Sequence, residues 1–339
     1  MFQTRQAVVV LGIAALFSLL GIAVVLAAEL FLLLFGAVIL AVLIRSLSDF
    51  LSAKSPLSPR IAFGLVTLVL LGLMSFGAWA LGPVLAEQLE DLIQRLPALT
   101  DRLEELLRKV PLGGALAGEI RALGDGGEDV LGGVLDALSL SVRGVVWLLV
   151  VVVTGFYLAA EPTLYTRGVL KLFSISRRDR AGEILFALGS TLRLFLLGRI
   201  VSMMAVGVMT WIGLSLMGVP AAGLLGLIAG LFTFVPYAGP IAATLPIALA
   251  AFLEGPEVLI YAVAYYAAVQ SVEGFIITPL VQEKAVMLPP ALTLAAEVFM
   301  GLLFGVLGVI VSVPAAALAV RFVRMVYVED VLGDNPSME

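Results

Sequence analysis

The chain has no cysteine and no histidine in its 339 residues, and only 13% of them are charged. Without cysteine there are no disulfides or thiolate nucleophiles, and without either residue no Cys or His metal sites. The lack of histidine excludes a Ser-His dyad and leaves Asp, Glu, Lys and Tyr to carry any coupled proton. The scarcity of charge excludes a soluble globular chain, in which roughly a quarter of residues are charged. HExxH, GxSxG and P-loop patterns are missing as well, so no enzyme, cofactor, metal or nucleotide-driven pump is expected. No Lys/Arg stripe with interleaved aromatics marks a nucleic-acid partner.

What the chain does have is apolar sequence, 61% of the total, with a mean hydropathy of +1.13. Lipid must be the solvent for much of it, and the expected class is an all-α integral membrane protein. A helix crosses about 30 Å of hydrocarbon with about 20 residues. Residues 7–44 are nearly twice that and read as two spans turning near Glu29. Residues 61–81 form a third span, 144–160 a fourth and 192–217 a fifth. Residues 161–190, containing SISRRDR, form a polar connector. In the last third, 220–253 and 288–322 are too long for single straight spans, and each is a broken span or a re-entrant hairpin. Residues 258–279 can cross once.

Arg5, Arg45, Lys54, Arg60, Arg167, Lys171, Arg177, Arg178, Arg180, Arg321 and Arg324 all fall between these runs or at their ends. The positive-inside rule places them in the cytoplasm, with both termini. The chain therefore divides into 1–82 (three spans), 83–142 (an external, periplasmic helical region), 143–323 (the transport region) and 324–339 (a cytoplasmic tail). Residues 83–142 carry eleven acids against five bases. Within them Leu85, Leu89, Leu92, Leu96, Leu99, Leu103, Leu106 and Val110 form a seam of 3.5-residue period. That seam fits a hairpin on its own protomer, a subunit contact or a partner-docking site.

FTFVPYAGPIAATLP, residues 232–246, places Pro236, Gly239, Pro240 and Pro246 inside an apolar run. Such a break is tolerated at membrane depth only where protein or a water-filled cavity surrounds it, so Pro236, Tyr237, Gly239 and Pro240 become pathway candidates. Tyr266, Gln270 and Glu273 share one helix face and can line a polar cavity or lock two helices together. Glu161, Arg199 and Glu297 are secondary candidates. Glu161 reads as solvated near the headgroups, while Arg199 either snorkels or pairs with an acid. GLLGLIAGLFTFVP (223–236) and GLLFGVLGVIVSVP (301–314) align without gaps. That echo makes Pro314 a candidate second break, as in transporters with paired interrupted helices. GLLGLIAG itself reads as small-residue helix packing.

FYLAAEPTLY (156–165), LMGVPAAGLLGLIAGLFTFVPYAGPIAATLP (216–246), VEGFIITPLVQEKAVMLPPALT (272–293) and GLLFGVLGVIVSVP together resemble the autoinducer-2 exporter (AI-2E) family of PerM-like permeases. FVPYAGP and VEGFIITP with the downstream LPP are the most specific signals. Arg199 stands where relatives often carry glutamine. The resemblance implies about eight spans, a multi-pass protein of the bacterial inner membrane, and a homo-oligomer, with a pentamer as one assembly. It also implies transport of a small polar solute without ATP, autoinducer-2 export being one family activity and Na⁺(Li⁺)/H⁺ antiport another. A monovalent cation or proton is then the alternative cargo, with Glu273 as the exchanging carboxylate. A non-transporting scaffold built on the external helices is the reading from a different class.

Overall fold

The computed structural model describes residues 30–72, 75, 142–282 and 288–334. The expected first span, the external seam, Glu283 and Lys284 lie outside them. The described residues belong to two compact units, residues 1–63 with 150–339, and residues 64–149. Every described element is helical. They are α1 (Leu30–Lys54) and α2 (Pro59–Gly72), α3 (Val142–Ala160), α4 (Pro162–Leu170), a 3-10 turn (Ile175–Arg177) and α5 (Arg178–Leu216). There follow α6 (Ala222–Phe232), α7 (Ala238–Glu254), α8 (Pro256–Val272), a π turn (Glu273–Ile277), α9 (Thr278–Gln282), α10 (Pro290–Val323) and a closing π turn (Arg324–Glu329).

The membrane class holds. By length and composition alone four described helical stretches could cross a bilayer, the last of them (290–329) counted without its break at Gly305. A fifth could if α3 and α4, bent by 86° at Glu161, make one broken span. Large apolar side chains such as Ile241, Phe275 and Leu302 lie mostly exposed on the protomer. Water would not tolerate such a surface, whereas acyl chains do.

Two boundaries differ from the sequence expectation. The connector 161–190 is largely helical, and α5 starts at Arg178 rather than near 192. Charged residues at the start of a helix do not stop it, since Asp179 suits the positive end of the dipole. Arg180 then ties this end of α5 to the chain's last turn, reaching Glu329 at 2.9 Å and Asp330 at 2.8 Å.

The core of the larger unit joins α5 to α8. Val206, Leu214, Leu225, Ala229, Ile247, Ala262 and Tyr266 bury together. The GLLGLIAG run packs as small-residue sequence should. A Cβ at Gly226 would lie 2.7 Å from the Gly207 carbonyl oxygen, and one at Gly230 would lie 2.7 Å from that of Met203. α6 therefore crosses α5 backbone to backbone, the close approach that glycine permits in lipid.

The prolines do not all act alike. The chain breaks at residues 233–237, between α6 and α7, around Pro236. Pro240 stands in the first turn of α7, where no intrahelical donor is lost. Pro246 sits within α7, which continues through it to Glu254. Pro314 likewise lies inside α10, and the expected break there is corrected to Gly305, nine residues earlier (φ 61°, ψ −147°). Such a left-handed φ suits glycine, which has no Cβ to clash. A Cβ at Gly301 would meet Val309 at 2.8 Å, and one at Gly308 would strike the Met300 carbonyl. Residues eight apart lie about 12 Å apart in a continuous helix, so the chain doubles back at Gly305. Residues 290–304 and 306–323 are two helices folded back on each other at Gly305, not one straight span. The proposed echo therefore does not extend to the break, because Pro236 interrupts its segment and Pro314 does not.

Candidate functional site

α6 has 11 residues and spans about 16 Å, half the hydrocarbon thickness. A helix of that length does not cross the hydrocarbon, and its end at Phe232 leaves backbone groups that need partners. Some are met locally. Thr233 donates both its N–H (3.0 Å) and its hydroxyl (2.7 Å) to the Ala229 carbonyl. Val235 N–H donates to Phe232 at 3.0 Å. The others are met by charged side chains from distant elements.

Arg199, on α5, is 4% exposed. Its Nε donates to the Phe234 carbonyl at 3.0 Å. The Phe234 ring rests edge-on against Phe195, one turn before Arg199, which presents that carbonyl to the guanidinium. Across the break, Ala238 opens α7 with no side-chain cap of its own. Its N–H donates to Glu297 Oε2, from α10, at 3.3 Å. A cation thus sits at the carboxyl end of one half-helix and an anion at the amino end of the next, the arrangement that complements both dipoles.

Arg199 Nη1 also meets Glu273 Oε1 at 3.4 Å, both side chains being almost buried. The Thr278 hydroxyl donates to the same carboxylate oxygen at 2.7 Å. Glu273 opens the π turn, whose wide ring ends on a Thr278 N–H to Glu273 carbonyl bond. Pro279 follows with no donor to offer, so an ordinary α turn would leave the Phe275 carbonyl unmatched. Single π turns of this kind often occur at functional sites.

α5 and α8 run antiparallel, with Arg199 level with Glu273 and Met209 accepting from the Tyr265 hydroxyl at 2.8 Å. That register sets Ser202, one turn past Arg199, at the level of Gln270, one turn before Glu273. The Ser202 hydroxyl, Tyr266 hydroxyl, Gln270 Nε2 and Glu297 Oε1 are all buried and without a hydrogen-bond partner. Tyr266 neighbours Gln270 along one face, near enough for the phenol and the amide to interact, although no bond of good geometry reaches the Tyr266 hydroxyl or Gln270 Nε2. The Thr67 and Thr210 hydroxyls are unpaired as well. Buried polar atoms are normally paired, so four at the level of one ion pair make this cluster the candidate site.

The sequence candidates separate cleanly here. Glu273, Gln270, Tyr266, Arg199 and Glu297 belong to this cluster. Pro236, Gly239 and Pro240 shape the break beside it. Tyr237 contributes backbone, and its side chain is 40% exposed. Glu161 is exposed at the α3–α4 corner, as a solvated headgroup residue would be. Pro314 is buried in α10, away from any break. Ser202 and Thr278 were not anticipated. Their signal was spacing, a hydroxyl three residues after Arg199 and another five after Glu273.

Tyr237 holds φ 44° and ψ −65°, a region that costs a non-glycine residue about 1–3 kcal/mol. Tyr237→Gly is expected to stabilise the protein by up to about 1 kcal/mol after glycine's entropic cost, read as a higher thermal midpoint in detergent. A lower midpoint would show that this backbone is not strained.

A sequence model for AI-2E family transporters matches residues 9–327. Among curated proteins, YueF of Bacillus subtilis (strain 168), named as a candidate transport protein, is 23% identical over 273 residues. That alignment takes in 76% of this chain and 74% of YueF. YrrI of the same strain, named likewise, is 28% identical over 174 residues, 50% of this chain and 49% of YrrI. A similarly named protein of Thermotoga maritima is 25% identical over 167 residues, 49% of this chain and 51% of that protein. The chain thus matches about half the length of the latter two.

Proposed function

Since the chain belongs to the AI-2E family of transporters, we propose that it is a secondary transporter of a small polar solute working at the Arg199–Glu273–Glu297 cluster. The carrying observation is the set of unpaired buried donors and acceptors around that ion pair. A solute with hydroxyl or carbonyl groups would satisfy the Ser202, Tyr266, Gln270 and Glu297 atoms. An apolar one would leave them unmatched, at a cost of about 1–3 kcal/mol each. With no nucleotide motif in the sequence, the solute's own gradient or an ion gradient supplies the energy.

The positive-inside pattern supports an inner-membrane protein with cytoplasmic termini. The large apolar surface left on the protomer supports a homo-oligomer as well as lipid contact. One observation favours Na⁺(Li⁺)/H⁺ antiport as the second reading. The cluster holds one guanidinium and two carboxylates, so it carries a surplus negative charge when both acids are ionised.

Purified protein in liposomes separates the two. Vesicles preloaded with autoinducer-2 are expected to release it faster than protein-free vesicles. Under the second reading, Na⁺ or Li⁺ addition instead changes the signal of an enclosed pH dye. Vesicles in which neither probe moves would sink both, and full transport after deleting the cluster's side chains would sink the site.

A further inference from the structure

We propose that Glu297, rather than Glu273, is the proton-carrying carboxylate of the membrane interior, taking up and releasing a proton at Oε1. This rests on the transport reading above for its purpose, though not for its geometry.

The two acids differ in what holds them. Glu273 has a guanidinium at 3.4 Å and a hydroxyl at 2.7 Å on one oxygen. Both are charge-assisted contacts to a carboxylate oxygen. Glu297 is 4% exposed. It has a single, longer bond, 3.3 Å from the Ala238 N–H, and that bond uses only Oε2. Its Oε1 is buried and partnerless. A full charge with a free lone-pair oxygen is expensive in an apolar interior. A proton there removes the charge and turns Oε1 into a donor, while Oε2 continues to accept from Ala238.

The neighbours set the balance. Arg199, from α5, is the cation within electrostatic reach of Glu297. Its nearest acid is Glu273, on the π turn, and its Nε is committed to the Phe234 carbonyl. Arg193, two turns earlier on α5, is directed to Asp49 of α1 at 3.6 Å. Tyr266 on α8 and Tyr237 at the break are the titratable side chains that the neighbouring described elements add, and neither is a cation. One cation therefore serves two acids, and the one it serves less closely is Glu297.

The position also couples a proton to shape. Ionised Glu297 holds α10 against the positive end of α7. Protonation weakens that hold, because a neutral carboxyl interacts less with a helix dipole. Loading a proton thus loosens the contact between α10 and the start of α7 at the break, where a solute would enter.

Two measurements on full-length reconstituted protein test this. In infrared difference spectra between low and high pH, wild type and Glu273→Gln are expected to show a protonated carboxylic-acid band that is lost in Glu297→Gln. Carbodiimide, which attacks protonated buried carboxyls, is expected to modify Glu297 in unmutated protein, less as pH rises, with Glu273 spared by peptide mass mapping. The second arm needs no variant, so a misfolded Glu297→Gln protein leaves the question decidable. A band that persists without Glu297, or labelling at Glu273 instead, would overturn the assignment. Neither readout depends on a solute, so a protein that transports none of the probes can still have its proton site confirmed or rejected.

Discussion

Replacing Arg199 with methionine is expected to abolish transport and to lower the stability of the membrane-inserted protein by about 3–5 kcal/mol, the cost of stranding a buried partner charge. Three groups lose their counterpart at once. Glu273 keeps only the Thr278 hydroxyl, the Phe234 carbonyl loses its donor, and Glu297 loses its nearby cation. A thermal melt in detergent, read by size-exclusion recovery, should register a large fall. The informative step is the second substitution. In Arg199→Met/Glu273→Gln the stranded carboxylate is gone, and replacing a buried pair with neutral groups is often close to neutral for stability. Stability should therefore return in large part while transport does not. If the double variant transports like wild type, the pair is only a lock between α5 and the π turn. The site would then have to lie elsewhere.

The cluster was only partly legible in the sequence, for physical reasons. Glu273, Gln270 and Tyr266 were found because a helix puts i, i+4 and i+7 on one face, a rule that needs only local structure. Arg199 had two possible fates, and nothing local distinguished snorkelling from pairing. The choice is made by the antiparallel register of α5 and α8, 74 residues apart in sequence at the bridge. The prolines show the same limit. Pro236 breaks its helix because charged caps from α5 and α10 satisfy the freed groups. Pro246 and Pro314 sit inside helices that continue through them. The break at Gly305 had no proline to announce it. Glycine there is compatible with helix or turn, and the packing of Gly308 against Met300 selects the turn. Composition decided the membrane class, because 61% apolar residues admit no other solvent. What a one-dimensional pattern cannot supply is which distant side chain seals which break.

Gly239→Ala tests whether that seal is needed for transport. A Cβ at residue 239 would strike the Phe232 carbonyl, which is backbone and cannot rotate away. The only relief is to separate the end of α6 from the start of α7. That displacement draws the Phe234 carbonyl from Arg199 and the Ala238 N–H from Glu297, since both groups lie on the two strands of the break. Overpacking of this kind typically costs about 1–3 kcal/mol, small enough for the protein to remain inserted. Transport should nevertheless fall sharply, because both helix ends lose their charged caps together. Gly223→Ala, on α6, is the matched control. Its Cβ would find its nearest neighbour, the Trp211 indole nitrogen, at an ordinary 3.5 Å. It should behave as wild type in both assays. Equal transport by the two variants would mean that the capped geometry at residues 233–238 supports the fold and takes no part in moving solute. Loss in Gly239→Ala alone, with both proteins folded, places the moving step at the break.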